Sequence, residues 1–422
     1  MIKLPSDMIG GSLLRGAVLA AMAIAATPSL AWQAGVRASA GVWTDDVPVD
    51  ASGVQYPLSA LLSAGGSLSP TEVRLYAEAW VGNRAFFAAD KSAALREAYA
   101  EIPLAGGTLR IGRQILPWGR ADQINPTDSF VSRNWQWRTP ASDDQRFGND
   151  GIEGVVRLGT FAVSGVWMPH MQTTRLPFID GLQDVAYSTI DGRNNVGLRV
   201  DRTGDQVDWS VSYYQGVDLS PSLSASLAAV IPRLGWQNYR IQRLGGDFAM
   251  GVGESTVRGE LAHTRIADRI APTASTLPGQ KADYLKAVLG ADRDIGEGVN
   301  VNIQVVVQHL YGSPELPPPP IRGVQQLILA TQALVNQQPV TDLYGLVYRV
   351  QQHSFDDALR LELSGLAYSA GQGGLLRLRI AYQFDDSLAV VGGANWYYGA
   401  SDGILGALKP NNTWFVQVQY SM

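Results

Sequence analysis

A period of two in hydrophobicity runs through most of the chain after residue 31, and it constrains the fold more than any other feature. Successive side chains of a β-strand point to opposite sides, so each such segment predicts a strand with one apolar and one polar face. In residues 413–422, Trp414, Val416, Val418 and Tyr420 share one face, whereas the other face is mostly polar. After residue 31, no segment reaches the ~20 consecutive apolar residues that a helix needs to cross a bilayer. The sequence therefore predicts an all-β protein.

The N-terminus has the pattern of an export signal. Lys3 and Arg15 precede an apolar run over residues 16–26, and the small residues Ser29 and Ala31 lie where a signal peptidase would cleave. We predict a secretory signal peptide over residues 1–31 and a single mature domain over residues 32–422. The absence of Cys suits an oxidising compartment.

Seventeen segments show the alternation clearly, and short turns alternate with long connections between them. Gly, Asp, Asn and Ser at the short turns predict β-hairpins. Short turns at one end and long loops at the other are typical of outer-membrane β-barrels, with the turns periplasmic and the loops extracellular. The predicted strands are residues 32–43, 71–81, 95–102, 108–114, 152–158, 161–167, 194–201, 207–214, 244–250, 256–264, 284–292, 299–311, 343–351, 359–368, 376–383, 388–398 and 413–422.

The strand number follows from a parity argument. Bacterial single-chain barrels have an even number of strands, so seventeen candidates need one more or one fewer. An extra strand within residues 54–62 gives eighteen, which we prefer. Treating residues 32–43 as a plug or tail gives sixteen.

The apolar faces carry no charge at mid-strand, as lipid requires. Aromatic residues lie near the strand ends, where an interfacial girdle would be; they include Trp209, Tyr213, Tyr382, Trp396, Trp414 and Tyr420. Backbone groups in hydrocarbon must all be paired, so the sheet must close. We therefore predict a closed antiparallel transmembrane β-barrel of 16–18 strands in the cell outer membrane, in contact with its lipid. The alternative is a secreted sandwich or propeller.

The opposite faces would line a lumen, and basic groups outnumber acids at mid-strand. One hypothesis is a channel whose field favours anions or zwitterions. The other is that these charges pair across strands and hold the wall together. The candidate lumen residues are Arg74, Arg110, Arg157, Arg199, Arg258, Glu260, Arg360, Arg377 and Arg379.

Two loop segments, residues 221–231 and 321–335, are apolar at helical spacing. The second follows a run of prolines over residues 317–320, which is a stiff spacer. The two predicted helices could pack on each other, or they could cap the barrel mouth and bind an apolar ligand.

Four short motifs lie close together: LREAY over residues 95–99, IGRQ over 111–114, WGRAD over 118–122 and NPTD over 125–128. This block resembles one in a Gram-negative outer-membrane family of unknown function, often encoded near exporters of the resistance-nodulation-division type. The resemblance implies an inward loop after the fourth strand, held by these residues. The final strand is similar to the closing strand of outer-membrane barrels, so the barrel-assembly machinery is an implied partner of residues 414–422.

The residue types in this block also predict a constriction of the lumen by the loop over residues 115–151. Trp118 can wedge against the wall, while Asp122, Asn125 and Asp128 can cap turns with side-chain oxygens. The acids lack the dense spacing of a calcium loop. We predict neither metal nor cofactor.

Other functions have little support in the sequence. The four His residues lack metal-ligand spacing, and no Gly-x-Ser-x-Gly elbow is present, so we predict no enzyme. A net charge of −5 without a basic run gives no reason to expect nucleic acid. We predict a porin-like channel for small solutes, with a homo-oligomer left open. The alternatives are a transporter of hydrophobic compounds and a plugged barrel that is a scaffold of an envelope export complex.

Overall fold

The computed structural model describes residues 31–45, 53–68, 71–179, 181–182, 185, 193–226, 232–268, 276–277, 281–312 and 324–422. The predicted signal peptide, apart from residue 31, and the proline run lie outside these residues.

Eighteen long strands form one sheet in which each strand pairs antiparallel with its neighbours. The last strand pairs with the first, from Arg37 opposite Ser421 to Asp45 opposite Thr413, so the sheet closes into a barrel. The strands are β1 (Ala31–Asp45), β2 (Leu58–Leu68), β3 (Val73–Gly82), β4 (Ala93–Leu104), β5 (Gly107–Gln114), β6 (Asn149–Leu158), β7 (Phe161–His170), β8 (Arg193–Arg202), β9 (Val207–Val217), β10 (Arg240–Val252), β11 (Ser255–Ile266), β12 (Asp283–Asp294), β13 (Val299–Tyr311), β14 (Asp342–Ser354), β15 (Leu359–Tyr368), β16 (Gly373–Gln383), β17 (Leu388–Tyr398) and β18 (Thr413–Ser421).

The preferred prediction of eighteen strands is confirmed. The segment within residues 54–62 holds the extra strand, but its bounds were wrong. A two-residue strand, Val54–Gln55, pairs with the end of β1, and the wall strand β2 runs on to Leu68. The Gly and Ser residues in the second half of β2 hide it, because they contribute little to a hydrophobic period. The sixteen-strand alternative is wrong, since β1 is part of the wall.

The outward faces are apolar, as predicted. The exposed fractions of Leu198, Val211 and Ile303 are 52%, 50% and 50%, although these residues lie in the middle of strands. Trp414 and Tyr420 are also exposed near the two ends of β18. Such a continuous apolar exterior is far larger than soluble monomers present to water, and it matches a hydrocarbon surrounding.

Connections at the mouth of the barrel carry the remaining structure. Helix α1 (Arg84–Phe87) begins after Asn83, whose side chain accepts the N–H of Phe86. A small sheet combines Ser222–Ser226, Arg233–Gln237 and Thr276–Leu277. A two-stranded pairing within the 115–148 connection joins Ser132–Arg133 to Arg146–Phe147, and 3₁₀ turns cover Ser142–Gln145 and Gly406–Asn411. No helix in the described part of the chain is long and apolar enough to span a membrane.

The two predicted loop helices have different outcomes. Helix α2 (Val324–Val335) forms as expected within residues 321–335. The prediction of a helix over residues 221–231 is wrong for residues 222–226, which form a strand, and residues 227–231 are not described. The helix packs on this strand, with Ile328 against Ala225, so a sheet takes the place of a helix partner.

Candidate functional site

The longest described connection leaves β5 at Gln114, rejoins the wall at Asn149 and folds inward over residues 115–148. We call it the inward loop. Its first backbone N–H, on Ile115, donates to the Glu97 carboxylate of β4 at 2.9 Å. Contacts with the barrel wall hold the rest of the loop. The first and second halves of the loop contact different sides of the barrel.

Glu260 of β11 holds the first half of the inward loop. Its Oε1 accepts the backbone N–H of Ala121 at 2.6 Å and the Asn125 amide at 3.1 Å. Its Oε2 accepts the Thr127 hydroxyl at 2.9 Å, and only 4% of Glu260 is exposed. Gly119 has φ +101, and a Cβ there would overlap this carboxylate. Only glycine therefore allows the loop backbone to approach so closely.

A cluster of two cations and two anions lies beside this anchor. Arg120 of the loop pairs with Asp247 and with Asp201, the latter at 3.1 Å. Arg199 of β8 bonds Asp201 through Nε at 2.8 Å and reaches Asp247 at 3.1 Å. Ser210 also donates to Asp247, whose side chain is fully buried. The cluster is neutral, so it fixes the loop without adding a net field.

Trp118 packs against the wall between aromatic and cationic groups. Its ring meets Phe130 edge-to-face at 4.9 Å, and Phe130 meets Tyr214 at 5.0 Å. The Arg199 guanidinium lies 5.9 Å from the Trp118 ring. A Cβ on Gly197 of β8 would come within 2.6–2.7 Å of Trp118 and Phe130. The missing side chain on β8 makes room for the two rings.

Asp122 binds the next part of the inward loop to the barrel wall. Its carboxylate pairs with Arg349 of β14 at 2.8 Å. Nearby, Ile124 of the loop packs with Val306 and Val347, which face inward from β13 and β14. The first half of the loop thus lies along strands β8 to β14.

Asp128 ends this stretch with a local turn. Its carboxylate accepts the N–H of Phe130 at 3.4 Å, and its backbone carbonyl accepts the Arg243 guanidinium at 3.0 Å. Loss of solvation raises the pKa of Asp128 to about 6, and the nearby positive charges of Arg133 and Arg146 offset only part of that effect.

The second half of the loop is held by the opposite side of the barrel. Asp144 pairs with Arg37 of β1 at 2.7 Å and accepts the Thr139 hydroxyl at 2.8 Å. Arg96 of β4 donates to the Arg146 carbonyl at 2.8 Å. Strands β1 to β4 and β8 to β14 face each other in an eighteen-stranded barrel. The inward loop therefore lies across the lumen.

The candidate lumen arginines divide into two groups. Four have carboxylate partners: Arg74 with Glu101 at 3.5 Å, Arg110 with Glu101 at 2.7 Å, Arg199 with Asp201, and Arg258 with Asp292. No ion pair with a described residue forms at the other four, which are Arg157, Arg360, Arg377 and Arg379. Of the two hypotheses for the lumen charges, pairing across strands applies to Arg258, which pairs with Asp292 of the neighbouring strand, whereas Glu260 binds the inward loop.

Sequence reasoning missed the partners that complete the site. Arg120 lies inside the WGRAD motif, and Asp201 and Asp247 occupy inward positions of predicted strands, so the pattern contained a signal. Asp144 and Arg37 offered none, since nothing local links a loop acid to a strand over a hundred residues away.

No protein-family model matches the sequence, and no curated protein matches it. The fold does match solved structures. The Pseudomonas aeruginosa outer membrane protein OpdK aligns with a TM-score of 0.56 at 10% identity, covering 93% of this chain and 98% of that chain. P. aeruginosa OccK10 (OpdN) gives 0.55 at 11% identity, and Acinetobacter baumannii OccAB3 gives 0.53 at 11%, each covering 93% of this chain and 99% of its own.

This chain has the fold of an outer-membrane β-barrel. The neighbours agree with the location predicted from the sequence. At such low identity the likeness shows the fold alone, so the solute must be argued from the lumen.

Proposed function

We propose that the protein is an outer-membrane channel for the passive passage of small solutes, with a lumen that favours anions or zwitterions. The inward loop would narrow this channel. Residues 414–422 would be the signal for barrel assembly, and homo-oligomer formation is compatible with the exposed outer wall. Membership of the family suggested by the four motifs stays a prediction.

The distribution of unpaired charge carries this proposal. On β15 and β16, Arg360, Arg377 and Arg379 have no carboxylate within ion-pair distance among the described residues. The buried Nε atoms of Arg377 and Arg379 also have no hydrogen-bond partner there. Elsewhere on the wall, carboxylates neutralise Arg74, Arg110, Arg199 and Arg258, and Arg157 is the remaining candidate cation without an ion pair to a described residue. The sector β15–β16 thus supplies a positive field that would attract anions from the lumen.

A plugged scaffold is the second candidate, because the inward loop is bound to opposite sides of the barrel. A transporter of hydrophobic compounds is the third, and the apolar helix α2 near the mouth supports it. Conductance separates the channel from the other two functions. Steady current across a planar bilayer supports a channel, whereas correctly folded barrels without current contradict it.

The ion preference is tested by the reversal potential under a KCl gradient. Replacing Arg377 and Arg379 by Gln should shift it away from anion preference. The matched control R258Q/D292N removes one cation and one anion, so it should leave the reversal potential close to that of the unmodified protein. An unchanged potential in R377Q/R379Q contradicts the proposed preference.

A further inference from the structure

A cavity of about 300 Å³ lies inside the mouth of the barrel, between the inward loop and the extracellular connections. Most of its lining is apolar. Ile124 and Trp135 come from the inward loop, Leu334 from helix α2, and Leu366 and Leu375 from the ends of β15 and β16. This volume is at the low end of the roughly 300–1,000 Å³ typical of small-molecule sites.

Two cations interrupt this apolar lining. Lys286 reaches the cavity from β12 and Arg377 from β16, whereas the described residues around it include no Asp or Glu. Neither cation forms an ion pair with any described residue. Both therefore differ from Arg199 and Arg110, whose charges are neutralised by neighbouring carboxylates.

Positive charge beside apolar surface is costly unless an anion neutralises it. A small hydrophilic anion would neutralise the charge but leave the apolar lining against water. A neutral hydrophobic molecule would cover the lining but leave the cations uncompensated. Only a molecule that combines one anionic group with an apolar body satisfies both parts of the cavity.

We infer that this cavity binds an amphiphilic monoanion, whose carboxylate is attracted by the positive field of Lys286 and Arg377 and whose apolar body contacts Leu334, Leu366 and Leu375. Taking roughly 30 Å³ for each heavy atom, as for liquid water, the volume suits about ten heavy atoms. The inference rests on the proposed channel function, because it names a class of solute held on the way through the mouth.

Equilibrium dialysis with the barrel in lipid nanodiscs tests the inference, with empty nanodiscs to subtract partition into lipid. The probes are octanoate, acetate and 1-octanol. We expect octanoate to bind saturably at one molecule per barrel and the other two to show no saturable binding. K286Q and R377Q should each weaken octanoate binding at least tenfold. R293Q removes an exposed cation at the periplasmic end, so it should leave the affinity unchanged.

A second variant tests the apolar part separately. Leu334→Trp fills the cavity while both cations remain, and it should also weaken octanoate binding at least tenfold. Gel electrophoresis of heated and unheated samples of each variant checks that the barrel has folded. Equal saturable binding of octanoate and 1-octanol, or unchanged affinity in folded K286Q and R377Q, overturns the inference.

Conductance measured on the same preparations separates the two proposals. A barrel that conducts but does not bind octanoate rejects this site and leaves the channel intact. A barrel that binds octanoate saturably but passes no current rejects the channel and leaves the binding site.

Discussion

Glu260 accepts the backbone N–H of Ala121 at 2.6 Å, and this bond joins the wall of the barrel to the loop that crosses its lumen. The two residues are 139 positions apart in the chain. The relationship explains how a connection whose first half has no helix or strand can hold one position inside a barrel.

Glu260→Ala should release the first half of the inward loop. The buried donors of Ala121 and Thr127 would lose their acceptor, at a cost of roughly 1–3 kcal/mol for each unsatisfied group. We expect a larger single-channel conductance and faster proteolysis within residues 115–148. Glu254→Gln, at an exposed periplasmic turn, is the control. Conductance and cleavage equal to those of the unmodified protein would show that Glu260 does not hold the loop.

Gly119→Ala should have a similar effect by a different route. Its backbone has φ +101, which disfavours a side chain, and the new Cβ would push against the Glu260 carboxylate. Gly251→Ala is the matched control, since no atom lies within 4 Å of a Cβ there. We expect increased conductance only for Gly119→Ala. The same conductance in both variants would contradict the close approach of loop and wall.

Asp247→Asn should destabilise the barrel, because it leaves Arg120 and Arg199 to share Asp201. Breaking a buried pair by removing one partner typically costs about 3–5 kcal/mol. Urea unfolding in detergent measures the change in the free energy of unfolding. Arg293→Gln removes an exposed pair and should cost about 0–1 kcal/mol. A loss for Asp247→Asn no larger than that of the control would contradict a structural role for the cluster.

The titration of Asp128 predicts a pH dependence. Its pKa is raised from 3.8 to about 6 in the folded protein, so the folded state binds this proton more tightly than the unfolded state does. Its contribution to stability is therefore full below about pH 4 and is lost as the pH rises through 6. Asp128→Asn removes this step. Unfolding free energies measured between pH 4 and 7 should show the unmodified protein losing stability relative to the variant. A constant difference would contradict the raised pKa.

The strands of the barrel wall could be predicted from the sequence because their hydrophobic alternation involves residues that are close together in the chain. Alternation along each strand, as in β16, tells which side chains face lipid and which face inward, and the even-number rule leaves sixteen or eighteen strands. β2 was placed too early because Gly65 and Gly66 carry no hydrophobic signal. Residues 222–226 look helical by spacing, but their pairing with Arg233–Gln237 makes them a strand. Tertiary pairing overrides spacing in such short segments.

The site was predictable only in part. Trp118, Asp122 and Asp128 lie in the inward loop and Glu260 faces it from the wall, while their predicted roles in constriction and selectivity stay predictions. Which cations remain unpaired was not predictable, because ion pairs such as Arg258 with Asp292 join different strands through their register. The contact of Arg37 with the second half of the loop was not predictable either, because only closure of the barrel brings β1 close to Asp144.

In a transmembrane barrel with a water-filled lumen, adjacent residues of a strand face water on one side of the wall and lipid on the other. The chain has no Cys, so single Cys residues can be introduced without background. In proteoliposomes, Cys in place of Arg379 should react rapidly with a negatively charged, water-soluble methanethiosulfonate. Cys in place of Ile380, the next residue of β16, should be protected by lipid. Equal rates, or faster reaction at position 380, would contradict the barrel orientation and the channel that rests on it.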